Sequence, residues 1–203
     1  MATKIDTSKR TFVMINNYIY LHHIKDSSGN GTFIILPSYP ESIQDSLQST
    51  FSSQNPLART APIFSYQNSG PRQVQVSLNL HRDMMTQINY GVSNAAVELG
   101  DDYVDTLIKQ VQAIALPDYV SASKMVNPPL ISVRFGNEIF IKGVVQGGIN
   151  ITYNLPILEN DKYAQVQIAF TVSEVDPFDA QTVMQQGSFR GLDRTLDRKI
   201  NSN

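Results

Sequence analysis

Two segments that alternate strictly between apolar and polar residues constrain the fold of this 203-residue sequence more than any other feature. Segment 73–80 has Val or Leu at every even position and Gln, Ser or Asn at every odd one. Segment 165–172 has Val, Ile or Phe at the even positions and Gln, Ala or Thr at the odd ones. A period of two predicts strands with one buried and one exposed face. The exposed positions lack the Lys and Glu that usually keep such a face soluble.

Other segments predict further strands, most of them antiparallel. Residues 11–24 and 32–36 flank "KDSSGNG", in which Asn30-Gly31 suits the positive φ angles of a tight hairpin turn. Beyond residue 128, β-branched and aromatic residues predict four strands of an antiparallel meander, separated by Gly136-Asn137, Gly147-Gly148 and Glu159-Asn160-Asp161. Gly143 and Gly147-Gly148 are expected to mark a bulge and a turn.

One helix is predicted at about 101–116. Val104, Leu107, Ile108, Val111 and Ile114 form one apolar stripe at helical spacing. Asp101 can cap the first turn, and Pro117 ends the helix. The predicted fold class is therefore α+β, mainly antiparallel β, with one flanking helix.

Polar segments divide the chain into a domain and its arms. Residues 1–10 are predicted to form an N-terminal arm, and residues 11–177 a single β domain with a helical segment at 84–116. Within that domain, residues 37–70 are rich in Ser, Gln, Asn and Pro, which predicts a long loop or extended arm and a candidate interface. The polar residues 178–203 are predicted to be a tail that orders only on a partner.

Composition excludes several classes of partner and of chemistry. The sequence has 16 basic and 18 acidic side chains, so it shows no basic footprint for nucleic acid or anionic lipid. The absence of cysteine excludes disulfides and thiolate nucleophiles and fits assembly in a reducing cytoplasm. The start resembles no signal peptide, and no run of 18 apolar residues predicts a membrane span.

Candidate reactive residues have simpler interpretations. His22 and His23 are neighbours on one predicted strand and point to opposite faces, which prevents them from sharing a metal. The His81-Arg82-Asp83 cluster ends a strand, and Asp101-Asp102 occupies a helix cap. The sequence therefore predicts no catalytic, cofactor or metal site, and favours binding or assembly.

The order of several motifs resembles the tube-fold proteins of contractile phage tails and related injection systems. The motifs are "GPRQVQVSLNLHRD" (70–83), a helical middle, "PPLISVRFG" (128–136), Gly143-Val144, "ITYNLP" (151–156), and a final strand ending in Glu-Val-Asp-Pro (174–177). The nearest group is the baseplate adaptors or tube initiators, whose tube-like domain is often followed by a LysM module. No such module follows Pro177, so peptidoglycan binding is not implied.

That resemblance implies a tail-tube-like β-sandwich or open barrel that assembles into a six-fold ring with a continuous inner barrel. It implies that Gln73, Gln75, Ser77 and Asn79 face the lumen, where uncharged polar side chains give a smooth wall. Inter-subunit contacts are expected from residues in the arms: Arg10, Tyr39, Phe51, Phe189, Arg190, Arg194 and Arg198. The alternative for these four residues is an ordinary solvated sheet face.

The function implied is a structural one in the virion. The chain would be a baseplate hub or tube-initiating ring subunit that joins the spike side to the tail tube, without enzymatic activity or a cofactor. Its partners would be itself and neighbouring hub, wedge and tube proteins, with DNA only as transient cargo and no membrane. The location would be the tail baseplate, after assembly in the host cytoplasm. Two alternatives stay open: a major tail-tube subunit, or a glycan-binding β-sandwich module that uses Tyr39, Tyr66 and Tyr153.

Overall fold

The computed structural model describes residues 16–25, 29–36, 40–57, 60–82, 103–120 and 125–201. The strands within these ranges are β1 Asn17–Lys25, β2 Gly31–Ile35, β3 Ser42–Ser46, β4 Ser49–Gln54, β5 Ile63–Ser69, β6 Gln73–His81, β7 Asp118–Val120, β8 Met125–Asn127, β9 Ile131–Phe135, β10 Ile139–Ile157 and β11 Tyr163–Glu174. The helices are α1 Tyr103–Ala113, α2 Ala180–Gln186 and α3 Arg194–Asn201, with a 3₁₀ turn at Gly187–Phe189. The predicted class, α+β and mainly antiparallel β, is confirmed.

Seven strands form one curled antiparallel sheet in the order β2-β1-β9-β10-β11-β6-β3. The predicted hairpin is present as β1 and β2, although the positive φ angle falls at Gly29, and Gly31 pairs with Lys25 inside the ladder. β9, β10 and β11 form the predicted meander. β11 then pairs with β6 along nine consecutive residues of β6, from Gln73 to His81. The two alternating segments are therefore neighbouring strands.

The main core lies between the apolar face of this sheet and α1. The even-numbered residues of 74–80 and 166–172 are each at most 2% exposed. α1 covers them with the predicted stripe, since Val104, Leu107 and Val111 are all buried. Tyr103 fixes the start of α1 by donating its hydroxyl to the carbonyl of Ile35 at 2.6 Å. The predicted helix is confirmed, whereas its proposed cap, Asp101-Asp102, and the segment 84–100 lie outside the described residues.

Part of segment 178–203, which was predicted to be a tail, packs against the domain through α3. Leu196 and Ile200 of α3 are 3% and 1% exposed, and they join Tyr18, Tyr20, Phe33 and Ile35 in a second apolar cluster. This cluster covers the face of the β1–β2 hairpin opposite the main core. A spacing of four residues places Leu196 and Ile200 on one face of a short helix, and that pattern was hidden in a mostly charged sequence.

Residues 37–70 are also more regular than predicted. β3 adds an edge strand to the main sheet by pairing with β6, from Ser42↔Ser77 to Ser46↔Gln73. β4 and β5 pair with each other in a separate two-stranded sheet. The extended, arm-like character applies to this β4–β5 hairpin, while residues 37–39 are outside the described ranges.

β10 merges two of the predicted strands into one of 19 residues. The register against β11 shifts between Gln146 and Ile149, so Gly147-Gly148 forms a bulge, with φ of 78° and 91°, and not a turn. Gly143 has another role: a Cβ there would overlap the carbonyl of Ser173 on β11. No helix among the described residues is long and apolar enough to cross a membrane.

Candidate functional site

The most unusual surface is the outer face of four neighbouring strands, which we call the polar face. Residues paired across an antiparallel ladder lie on the same face of the sheet. The registers therefore extend the odd positions of β6 onto β3 and, through β11, onto β10. The polar face comprises Ser42, Gln44 and Ser46 of β3, Gln73, Gln75, Ser77 and Asn79 of β6, Gln165, Gln167, Ala169 and Thr171 of β11, and Gln146, Asn150, Thr152 and Asn154 of β10.

None of these side chains is ionisable, although the chain as a whole is 17% charged. His81, which pairs with Gln165 at the end of β6, is an ionisable residue at the margin of this face. Hydrogen bonds between side chains run across the strands: Gln73 to Gln146 at 2.8 Å, Gln165 to Asn79 at 2.7 Å, and Gln167 to Ser77 at 3.1 Å. The amides satisfy one another and still offer groups to water. The result is a wide, wettable and electrically neutral wall.

The sequence pattern found only part of this wall. Gln73, Gln75, Ser77 and Asn79 lie on it as predicted, with Gln75 exposed and the other three partly exposed. The contribution of β3 was missed because residues 42–46 carry one apolar residue, Ile43, and give no clear alternation. The contribution of β10 was missed because its bulge shifts the phase of the alternation at Gly147-Gly148.

One charged group next to this wall, the Arg72 guanidinium, is turned inward and paired with a carboxylate. Arg72, 1% exposed, donates both Nε and Nη2 to the carboxylate of Asp45, at 2.8 and 2.7 Å. It also donates to the carbonyl of Phe140 at 3.1 Å. Glu174 lies beyond it and accepts two hydrogen bonds from Arg190, at 3.2 and 3.0 Å. This buried network joins edge strand β3 to the sheet and to the C-terminal segment.

The β4–β5 hairpin presents apolar side chains to solvent. Phe51, Phe64 and Tyr66 are 54%, 66% and 57% exposed, and the Phe51 and Tyr66 rings meet edge to face at 5.5 Å. An isolated two-stranded hairpin is marginally stable in water. Such a hairpin with exposed aromatic rings is the kind of surface that becomes buried against another molecule.

A shallow pocket of about 490 Å³, open to solvent, lies beside α3, and we call it the α3 cavity. The Arg134 guanidinium donates a hydrogen bond to Asn137 Oδ1 at 3.2 Å. It also lies over the Phe189 ring, with its Cζ 5.8 Å from the ring centroid. Asp197 forms an ion pair with Arg134 and accepts the hydroxyl proton of Tyr18 at 2.7 Å. Burial and the Asp197 carboxylate raise the pKa of Tyr18. Leu192, Arg194 and Arg198 complete the lining.

The predicted contact residues fall into three groups. Arg10 and Tyr39 lie outside the described residues. Arg190 is 6% exposed and is held by Glu174 within the chain, so its guanidinium has an internal partner. Phe51 is exposed on the β4–β5 hairpin, while Phe189, Arg194 and Arg198 line the α3 cavity.

The histidines do not form a common site. His22 Nε2 lies 2.8 Å from the Ser132 hydroxyl, and His23 on the opposite face of β1 is 3% exposed. Burial lowers the pKa of His22, Lys142 lowers it further, and Asp193 opposes the shift. His81 is exposed at the end of β6. Within the described ranges, no group of three His, Asp or Glu side chains could hold a metal ion.

Comparison with known proteins gives distant structural likeness. No protein-family model and no curated protein sequence matches this chain. Among solved structures, the chain is similar to one described as the tail of an empty GTA particle, computed with helical refinement and C6 symmetry. The similarity covers 81% of this chain and 96% of that chain, at 15% sequence identity and a TM-score of 0.38. The geometry of the chain itself has to carry any functional conclusion.

Proposed function

We propose that this chain is a structural subunit of a phage-like tail or related injection system, whose copies close into a ring with the polar face lining the lumen. The observation that carries the proposal is that uncharged Gln, Asn, Ser, Thr and Ala side chains cover one face of four adjacent strands, with His81 as an ionisable group at its margin. A neutral polar wall neither holds a passing polyanion nor sticks to extended apolar chains. The order of the sequence motifs supports the same role.

The size of the polar face fits a channel. Six copies of a four-strand face give a barrel of about 24 strands, and at about 4.8 Å per strand and a tilt near 40° its backbone diameter is roughly 45–50 Å. Barrels of this size cannot be filled by their own side chains and enclose water. A wide, water-filled, neutral lumen suits the passage of DNA or protein.

More specifically, we propose that the ring is a baseplate hub or tube-initiating ring, made in the host cytoplasm and located at the tail baseplate. The exposed β4–β5 hairpin and the α3 cavity supply separate surfaces for unlike neighbours, as a ring between spike and tube requires. A major tail-tube subunit is the nearest alternative. Copy number in isolated particles separates the two, because one or two rings contain far fewer copies than a stacked tube.

Placing a charge on the polar face tests the lumen assignment. Gln75→Lys introduces one cation per copy, and in a ring these cations repel one another around one level of the channel. We expect ring formation by the purified full chain to weaken about tenfold or more, as followed by light scattering and negative-stain microscopy. The folded subunit should keep its stability within about 0.5 kcal/mol, because Gln75 is exposed.

Gln112→Lys is the matched control, since it makes the same change at an exposed position of α1. It should leave ring formation unchanged, and Gln75→Ser should do the same. Unimpaired rings with Gln75→Lys, or equal damage from Gln112→Lys, would contradict the lumen assignment. A wild-type chain that never assembles, alone or in particles, would contradict the structural role itself.

A further inference from the structure

The turn between β10 and β11 has an acidic, partly apolar surface with a defined shape, and we call residues 155–161 the β10–β11 tip. Leu158 closes the turn by donating its N–H to the Lys162 carbonyl at 2.8 Å, and Asp161 adopts a positive φ of 59°. Leu155 and Ile157 are 71% and 54% exposed. Glu159 and Asp161 are exposed and form no ion pair with a described residue.

The nearest cation is turned away from the β10–β11 tip. Lys162 contacts the Asp105 carboxylate at 2.6 Å, and the same carboxylate accepts a hydrogen bond from Arg82 at 2.7 Å. The positive charge of Lys162 is therefore held against α1. What remains to face solvent is two carboxylates beside two aliphatic side chains.

The α3 cavity has the complementary character. Asp197 neutralises Arg134, which leaves Arg194 and Arg198 as the surplus charge, one helical turn apart on the rim. Neither of them forms an ion pair with a described residue. Phe189 and Leu192 line the same cavity and supply its apolar surface. Two cations beside an apolar surface match two carboxylates beside aliphatic side chains.

The β10–β11 tip cannot reach the α3 cavity of its own copy, because the two surfaces lie at opposite ends of β10. Arg134 pairs with Phe140 near the start of β10, and Tyr163 pairs with Ile157 at its end. The intervening strand spans on the order of 50 Å. A contact between unlike patches of identical chains is heterologous, and such contacts generate rings or stacked helical arrays.

We propose that the β10–β11 tip of one copy inserts into the α3 cavity of a second copy, with Glu159 and Asp161 facing Arg194 and Arg198. This inference rests on the proposed self-assembly and names the surfaces that carry it. Burial of Leu155 and Ile157 against Phe189 and Leu192 would supply apolar area, and the charges would fix the register. The contact should weaken as salt screens the pairs.

Charge reversal and restoration test the pairing on the full chain. Glu159→Lys with Asp161→Lys, or Arg194→Glu with Arg198→Glu, should each weaken self-association about tenfold or more at low salt. Mixing the two reversed variants should restore association to near the wild-type value, because opposite charges again face each other. Lys109→Glu, a reversal at an exposed position of α1, is the matched control and should have no effect.

The absence of cysteine allows a second, direct measurement. A chain with Asn160→Cys mixed with a chain carrying Arg198→Cys should form a disulfide-linked dimer under mild oxidation, and the double variant should form a ladder of oligomers. Lys109→Cys mixed with Arg198→Cys should stay largely unlinked. If the wild type assembles but reversal changes nothing and no specific crosslink forms, this contact is wrong while the proposed function stands. If the wild type does not assemble, the tip–cavity contact and the proposed function are both contradicted. If the Arg variants assemble normally and lose only nucleic-acid binding, the cavity binds a polyanion and the contact is wrong.

Discussion

At the scale of single residues, His22 shows how burial couples a side chain to pH. Its ring lies edge-on to Tyr20, with the centroids 4.8 Å apart, and within 2.8 Å of the Ser132 hydroxyl. The titratable groups that act on it are Lys142, Asp193 and His23. Burial and Lys142 both disfavour the imidazolium, so the folded chain takes up a proton at this site at a lower pH than the unfolded chain does.

We predict that part of the stability is lost in mild acid through His22. Because the pKa of His22 is lowered from 6.5 in the folded state, its contribution is complete above about pH 6.5 and falls as the pH drops toward the folded pKa. The thermal midpoint of the wild type should therefore fall between about pH 7 and pH 5. His22→Gln, which can still hydrogen-bond to Ser132, should show a shallower fall. An identical pH profile for the two proteins would contradict the assignment.

At this scale, burial could be predicted from the sequence where apolar residues recur at a regular spacing. The buried positions 74–80 and 166–172 and the stripe on α1 were all predicted by spacing alone. Arg72 could not be predicted, since it follows a Gly-Pro turn and its partners Asp45 and Glu174 are distant in sequence. Long-range pairing of charges leaves no local periodicity.

At the scale of elements, α3 is the clearest case in which packing overrides composition. Five of its eight residues, Arg194–Asn201, are charged or amide side chains, yet Leu196 and Ile200 anchor it on the β1–β2 hairpin. Such a short helix is unstable alone, because the conformational entropy lost in forming its first turn outweighs the free energy gained from its few hydrogen bonds. Its order depends on the two apolar contacts, and this is why composition predicted a free tail.

We predict that Leu196→Ala destabilises the folded chain by about 2–4 kcal/mol, because it empties a site that is 3% exposed beside Tyr18 and Phe33. Urea unfolding followed by circular dichroism measures the change. Leu192→Ala, at a partly exposed position just before the helix, is the control and should cost about 1 kcal/mol or less. Equal effects from the two variants would indicate that α3 is not docked as described.

At the scale of the whole molecule, the sheet is a two-faced layer with a core on one side and the polar face on the other. Fold class and the alternation in β6 and β11 followed from the sequence. The extent of the polar face did not, because it depends on which strands are neighbours, and strand order is set by tertiary packing. β3 and β10 joined the face only through their registers with β6 and β11.

We predict that adjacent positions of β6 respond oppositely to the same change. Val76→Lys places a charge at a site that is 0% exposed among the main-core residues, and should cost more than about 3 kcal/mol or prevent folding. Gln75→Lys, one residue away on the polar face, should unfold at nearly the wild-type temperature. Calorimetry of both variants measures the difference, and similar losses in the two would rule out a two-faced sheet.

The length of β10 also affects how the protein behaves in the cell. β9 pairs with β10 only from Ile139 to Gly143, and no described strand covers that side of β10 from Val144 onward. Open strand edges accept any extended chain, including another newly made copy in the wrong register. Synthesis in excess of the assembly's needs should therefore produce insoluble deposits. The gene would be expected to be expressed in proportion to its partners, so that productive contacts form before unproductive ones.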